Sequence, residues 1–338
     1  MLTIDGSMGE GGGQILRSSL ALSIITSTPI IIENIRAKRD KPGLRKQHLT
    51  AVLAAAEICS AEVAGAHVGS GKLTFAPGKA DSGDYRFDIG TAGSTTLVTQ
   101  TVLWPLLLAA GPSHLSLVGG THNIHAPPFD YLKRVFVPII NRMGPCIELR
   151  FERYGFFPAG GGRFSLQIEP ARKLTPISIL ERGAVVRREA RAVVAGLPVI
   201  IAKRELAVIK SRLEWSDEEL VAGDLGHGYG PGNVVMLEIE SEHIAELFTG
   251  FGERGVPAET VAAAAADETS AYEAAGVPVG PHLADQLILP LALAGGGSFV
   301  TMPLTLHTIT NIEVVKMFLN ISVRATELCA GAVRIDVG

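Results

Sequence analysis

The sequence predicts an α/β protein made of three copies of one unit, with a smaller α/β domain inserted before the third copy. The first observation is a recurring apolar run led by glutamine: Gln14-Ile-Leu-Arg-Ser-Ser-Leu-Ala-Leu, Gln100-Thr-Val-Leu-Trp-Pro-Leu-Leu-Leu and Gln286-Leu-Ile-Leu-Pro-Leu-Ala-Leu-Ala. Each run reads as a helix, follows a loop of glycine with small or acidic residues, and precedes a strand-like stretch, a polar loop and a second amphipathic helix. The second observation is spacing. The first two glutamines lie 86 residues apart and the last two 186, which leaves about 100 surplus residues between copies two and three.

In the first copy a short N-terminal strand enters the glycine turn Gly9 to Gly13, then the helix from Gln14, a strand-like stretch, the basic loop Arg36 to Gln47 and a helix beginning near His48. The second copy runs through Gly90-Thr91-Ala92-Gly93-Ser94, the Gln100 helix, the loop Gly119 to Pro128 and a helix beginning near Asp130. The surplus occupies 181–277, starting just after Leu180, with strands at Arg187 to Gly196 and Val234 to Glu240 and an alanine-rich helix from Thr260 to Ala275. The third copy follows with the loop Gly280 to Asp285, the Gln286 helix, the apolar stretch Met302 to Leu306, the loop Leu306 to Asn311 and a helix beginning near Asn311. The large domain is therefore 1–180 together with 278–338. Three parallel copies would bring their loops to one end of the molecule, and loops on a rigid scaffold commonly carry function.

Composition narrows the class. A 338-residue chain with 47 % hydrophobic content can bury a large core. A net charge of -4 and a pI near 6.2 argue against a protein that coats long nucleic acid by electrostatics. The longest apolar stretch, Val102 to Ala110, is broken by Pro105 and is about half a bilayer span. With no charged leader before the first strand, the expectation is a cytoplasmic protein that does not enter the membrane. Cys59, Cys146 and Cys329 are odd in number and far apart, so neither a disulfide framework nor a zinc knuckle is signalled.

The segment Asp5-Gly6-Ser7-Met8-Gly9-Glu10-Gly11-Gly12-Gly13-Gln14-Ile15-Leu16-Arg17 places a carboxylate and a guanidinium about a glycine turn. Glycines admit close backbone approach and lead into a helix N-terminus that favours anions, and an acid there suits a divalent cation carrying phosphates. A plain strand-to-helix turn uses the same glycines, and the segment alone leaves both readings open. It is not a dinucleotide fingerprint, because Gln14 takes the third glycine's place. The nearest P-loop match, Gly69-Ser70-Gly71-Lys72-Leu73, has Ala66 for its first glycine and Leu73 for its Ser or Thr. Arg36, Lys38, Arg39, Lys41, Arg45 and Lys46 stand against Asp40 alone, beside Pro42-Gly43 and ahead of a helix, and read as a pocket for a small anionic end. His307 falls in the third copy's loop, where a neutral imidazole suits nucleophilic attack on phosphorus. His122 and His125 have i, i+3 spacing, but the run into Ala126-Pro127-Pro128 does not favour the helix a metal pair would need. There is no G-x-S-x-G elbow or H-E-x-x-H helix.

These residues resemble the RNA 3'-terminal phosphate cyclases over essentially the whole chain. The resemblance rests on Asp5 to Arg17, Arg36 to Gln47, Gly83-Asp84-Tyr85-Arg86-Phe87, Gly155-Phe-Phe-Pro-Ala-Gly-Gly-Gly162, Gly230-Pro-Gly-Asn233, His282-Leu283-Ala284-Asp285-Gln286, and His307 with Thr310-Asn311. It implies three units of a four-stranded sheet plus two helices and a thioredoxin-like insert. It also implies ATP-dependent conversion of RNA 3'-phosphate ends to 2',3'-cyclic phosphates, with release of AMP and pyrophosphate. By motif position, His307 would be the nucleophile that carries AMP and Glu10 the ligand of Mg²⁺ or Mn²⁺. Arg17, Arg36, Arg39 and Gln47 would line the phosphate end, with Arg17 and Arg39 counted among the catalytic residues. Gln100, Pro127, His282, Leu283, Ala284, Asp285 and Gln286 would contact the nucleotide, Asp285 being suited to ribose hydroxyls, and Phe248 would stack on adenine. His122 stands where an Asp is frequent and Tyr154 where His or Arg is usual. The competing expectations are a non-catalytic RNA-binding or ribosome-assembly relative and an enolpyruvyl-type transferase, with a homodimer among the open oligomeric states.

Overall fold

The computed structural model describes residues 1–227 and 230–338. The chain begins with β1 (Leu2–Asp5), α1 (Gly13–Thr26) and β2 (Ile30–Glu33), and β2 lies parallel to β1 with Leu2 opposite Ile30. After α2 (Lys46–Cys59), β3 (Glu62–Ala64) and β4 (Leu73–Ala76) complete a sheet ordered β1-β2-β4-β3. The parallel pair needs a crossover, and α1 supplies it.

The next stretch has β5 (Asp84–Asp88), α3 (Thr95–Leu107) and β6 (Ser113–Gly119). A helical segment follows as α4 (Phe129–Tyr131), a π-helical turn (Leu132–Phe136) and α5 (Val137–Asn141). With β7 (Cys146–Arg153) and β8 (Gly162–Glu169), the sheet is ordered β5-β6-β8-β7. A third sheet starts with the short β9 (Ser178–Ile179), whose Ser178 pairs with Ser298, 120 residues later.

Within that gap lie β10 (Val185–Ala195), α6 (Ile200–Leu213), β11 (Leu220–Asp224), β12 (Gly232–Ser241), β13 (Ala245–Phe251) and α7 (Ala258–Ala275), with a sheet ordered β11-β10-β12-β13. The chain ends with α8 (Pro281–Ala294), β14 (Gly297–Thr301), α9 (Leu306–Phe318), β15 (Val323–Cys329) and β16 (Ala332–Val337). The third sheet reads β15-β16-β14-β9. Three of the four sheets thus order their strands first, second, fourth, third along the chain.

Alternation in the fourth sheet shows how it is mounted. Val193, Ala195, Val234, Met236 and Leu247 join the large core that also contains Ile15, Leu20, Val98, Phe136, Leu287 and Val314. Their neighbours Ala192, Val194, Val235, Leu237 and Phe248 join a second core under α6 and α7. Period-two geometry sends successive side chains to opposite faces, so a run such as Val234 to Leu237 is apolar throughout because both faces are covered.

Two expected element boundaries are corrected. Helix α9 starts at Leu306, five residues before the expected Asn311, because Thr305 Oγ1 accepts from the Thr308 amide and caps it there. Pro281 likewise occupies the first turn of α8, so His282 to Asp285 are helical and not part of a loop. Among the described residues, no helix is long and apolar enough to cross a membrane.

Candidate active site

The Thr305 cap places His307 in the first turn of α9, with half of its side chain exposed. Its Nδ1 lies 3.1 Å from Gln14 Oε1 and 3.7 Å from Glu10 Oε1. The Gln14 amide nitrogen donates to Asp285 Oδ2 at 2.9 Å, which turns Gln14 Oε1 towards the histidine as acceptor. Nδ1 then carries the proton in the neutral ring, and the Nε2 lone pair is available. Burial lowers the His307 pKa, with Arg17, Arg39 and His282 acting the same way and Glu10 opposing. Asn311 fastens the surrounding helices, donating to the Asp285 carbonyl at 2.6 Å and accepting from Ser18 Oγ at 2.9 Å.

The glycine turn approaches from α1. Gly9 has φ +51, and a Cβ on it would strike Thr310 Oγ1, the same hydroxyl that accepts from the Glu10 amide at 3.1 Å. A Cβ on Gly12 would collide with the Glu10 carboxylate, and one on Gly13 would lie 2.6 Å from His48 Nε2 and 2.8 Å from Arg17 Nη1. The glycines leave the space that the charged side chains occupy. No side chain caps α1 at Gly12, so its N-terminal amides present positive charge at the turn.

Cations gather on the same wall. Arg39 pairs through Nη2 with Glu10 Oε2 and also donates to the Glu10 carbonyl at 3.2 Å. Burial lowers the Arg17 pKa to about 10, against the pull of Asp285 and Glu10, and the guanidinium stays charged at neutral pH. Arg36 is depressed by burial and then by Arg39 and Arg45. Its Nη1 donates to the carbonyls of Lys41 (2.6 Å) and Gly43 (3.1 Å), bracing the basic loop. His48 is driven down to about 3 by burial and by Arg17, Arg36 and Arg45, so it is neutral, and its Nδ1 accepts from the Arg45 amide at 3.1 Å. Like charge from Arg39 and Arg45 is thus felt at Arg36, and such a cluster of cations can attract an anion.

The expected nucleotide-contacting residues divide. Gln100 Nε2 donates to Gln286 Oε1 at 2.5 Å, and Gln286 donates to the His282 carbonyl at 3.0 Å. Burial pushes the Asp285 carboxyl to about 7, offset in part by His282, Arg17 and Gln14. His282 is largely exposed, 3.7 Å from Glu268 on α7. The Pro127 carbonyl accepts from Thr96 Oγ1 at 2.7 Å, and Gln47 Oε1 accepts from the Ser94 amide at 2.9 Å. Leu283 and Ala284 are buried in the large core, which leaves only their backbone for any ligand.

Phe248 is a correction. It is 2 % exposed and packs against Tyr272 with ring centroids 5.3 Å apart, because strand alternation sends it to the α6–α7 face. It is not available to stack on a base. His122, the departure from the family pattern, is also accounted for: its ring is fully buried and bridges Thr121 Oγ1 and Asp130 Oδ2, both at 2.9 Å.

Gln14 and His48 were not among the expected site residues. Gln14 was legible as the leading residue of a glutamine-led apolar run, yet its partners come from α8 and α9. His48 directly follows Gln47, and no spacing rule marks a buried histidine that stays neutral beside Arg17.

Comparison with known proteins identifies the family. The family profile described as RNA 3'-terminal phosphate cyclase matches residues 8–325. A Koribacter versatilis protein named RNA 3'-terminal phosphate cyclase is 51% identical over 327 residues, covering 97% of this chain and 92% of its own length. A protein of the same name from Pseudomonas fluorescens is 48% identical, covering 99% and 97%, and one from Salmonella enteritidis is 47% identical, covering 97% and 96%. Among solved structures, the enolpyruvyl transferase NikO from Streptomyces tendae is 12% identical with a TM-score of 0.27, over 99% of this chain and 65% of its own, a likeness too low to carry an argument. A match over nearly the whole length, on a chain that brings His307, Glu10 and the arginine loop together, shows that this protein belongs to the RNA 3'-terminal phosphate cyclase family.

Proposed function

We propose that the protein is an ATP-dependent enzyme that converts an RNA 3'-terminal phosphate to a 2',3'-cyclic phosphate through a histidyl-AMP intermediate. The observation that supports this is the Asp285–Gln14–His307 chain, in which Nδ1 faces the Gln14 amide oxygen and Nε2 is read as the nucleophilic nitrogen. His307 Nε2 attacks the α-phosphorus of ATP, forming a P–N bond as pyrophosphate leaves. An oxygen of the RNA 3'-phosphate then attacks the same phosphorus and frees the histidine. The vicinal ribose 2'-hydroxyl closes onto the 3'-phosphorus, expelling AMP and losing its proton. Activation is needed because a phosphate monoester has no acceptable leaving group, whereas AMP departs readily.

Arg17, Arg36, Arg39 and the α1 N-terminus bind phosphate oxygens; planar guanidinium forks suit them. Arg39, nearly half exposed, can exchange Glu10 for phosphate. Among the described residues no group of three or more acidic, His or Cys side chains could hold a metal ion. The single carboxylate of Glu10, beside Arg39 and His307, would hold Mg²⁺ or Mn²⁺ only together with substrate phosphates, where the cation would neutralise charge. Gln100, Gln286 and Asp285 are read as the nucleoside end, and the three free cysteines support a cytoplasmic setting. The three sheets of common order are read as repeats of one unit, with 181–277 as the inserted domain.

The test is incubation with α-labelled ATP and Mg²⁺ or Mn²⁺. The protein should acquire label through an acid-labile, hydroxylamine-sensitive bond, and His307→Ala should acquire none. Equal labelling of that variant would remove His307 as nucleophile.

A further inference from the structure

Two loops converge on Ala92, and both present apolar or aromatic groups to solvent. The turn after β7 is anchored by its first members: the Gly155 amide donates to Thr121 Oγ1 at 2.9 Å, and Phe156 is buried in the large core. The Gly160 amide closes the turn on the Phe156 carbonyl at 2.7 Å. Gly160 lies so close to Ala92 that an added Cβ would stand 2.9 Å from its backbone. This fixed turn points Phe157 outward, 75% exposed beside a neighbour that is 2% exposed. From the other side, Asn123 donates to the Ala92 carbonyl, followed by exposed Ile124 and exposed His125.

The loop that holds Ala92 is also attached to the phosphate wall. Ser94 donates its amide to Gln47 Oε1 at 2.9 Å, and a Cβ on Gly93 would meet Gln47 Cβ at 2.9 Å. The exposed groups are therefore one loop away from the residue that ends the basic segment. A group of this size is far below the roughly 800 Å² per partner of a stable protein interface. It does match the face of an unpaired base, which stacks on exposed aromatic side chains irrespective of sequence.

We propose that Phe157, on a turn that meets the Ile124–His125 loop at Ala92, forms a stacking platform for an unpaired nucleobase of the RNA whose 3'-phosphate is bound at the basic loop. This rests on the functional reading above. The net charge of -4 is in keeping with it, because stacking adds affinity for nucleotides beyond the terminal phosphate without further ion pairs.

The experiment measures binding of a short, fluorescent, single-stranded oligoribonucleotide with a 3'-phosphate to the full chain and to Phe157→Ala, Phe157→Leu and Phe157→Trp. Phe157→Ala should weaken binding at least about fivefold, Phe157→Trp should restore it and Phe157→Leu should restore only part. An oligonucleotide abasic at its last two positions should bind the unaltered protein weakly and be indifferent to Phe157→Ala. Unchanged binding of the intact oligonucleotide by Phe157→Ala overturns the platform, as does the absence of binding by the unaltered protein. So does self-association that Phe157→Ala abolishes while RNA binding stays intact, which would make the patch a protein contact. Loss of preference for 3'-phosphate over 3'-hydroxyl ends counts against the cyclase reading alone. Because Phe157 is exposed, the variants should melt with the unaltered protein.

Discussion

On the proposed reading His307, whose Nδ1 lies 3.1 Å from the Gln14 amide oxygen, attacks through the Nε2 lone pair of its neutral ring. Burial and the neighbouring cations hold its pKa below the ordinary value of 6.5. The acid limb of protein labelling by ATP should accordingly fall below pH 6.5, measured as initial rate against pH; a limb above it would contradict the lowered pKa. Arg39 belongs to the same scale. Its pairing with Glu10 leaves a guanidinium nearly half exposed, and Arg39→Ala should lower kcat/KM for 3'-phosphate RNA by roughly 1.5–3 kcal/mol, as for a charged hydrogen bond. Equal turnover of that substrate would take Arg39 out of the site.

At the scale of elements, the site is an assembly of helix N-termini: α1 with its glycine turn, α8 with Asp285 and α9 with His307. The turn is conformationally demanding only where φ is positive or space is absent, and Gly9 meets both conditions. Gly9→Ala should lower stability by about 1–2 kcal/mol, the cost of a left-handed L-residue, and should also suppress labelling by displacing Thr310 from the Glu10 amide. Gly71→Ala, where an added Cβ meets nothing within 4 Å, is the control and should leave Tm unchanged. The order of elements was legible in periodicity and punctuation, and the glutamine runs are α1, α3 and α8. The start of α9 was not, because Thr305 is one of several Thr and Ser residues able to cap, and the apolar Leu306 following it reads as strand.

For the whole molecule, two cores are joined through one sheet, and the segment beyond Leu180 carries its own buried acid. Glu205 is fully buried; Asn233 donates to its Oε2 at 2.9 Å, and its Oε1 has no partner among the described residues. Burial raises this carboxyl from 4.5 to about 7. The folded state therefore favours the protonated form, and its contribution is complete below pH 4.5 and lost as pH rises through about 7. Glu205→Gln should match the unaltered protein's Tm at pH 4 and exceed it at pH 8, by about 1–3 kcal/mol in stability. Thermal melts at the two pH values check this, and a variant less stable at pH 8 would refute the sign.

Local residue order was enough to specify the α/β pattern, the glycine turn, the basic loop and the candidacy of His307, because turn chemistry, hydrophobic period and charge runs act over a few residues. It misplaced Phe248 and passed over Gln14, because both depend on what stands opposite in space. Phe248 is interior because period two sends it to the α6–α7 face, and Gln14 matters because it sits between residues 271 and 293 positions away. Only packing of α1, α8 and α9 decides that an amide aims its oxygen at a histidine, since orientation in a hydrogen-bonded chain is a property of all its members together.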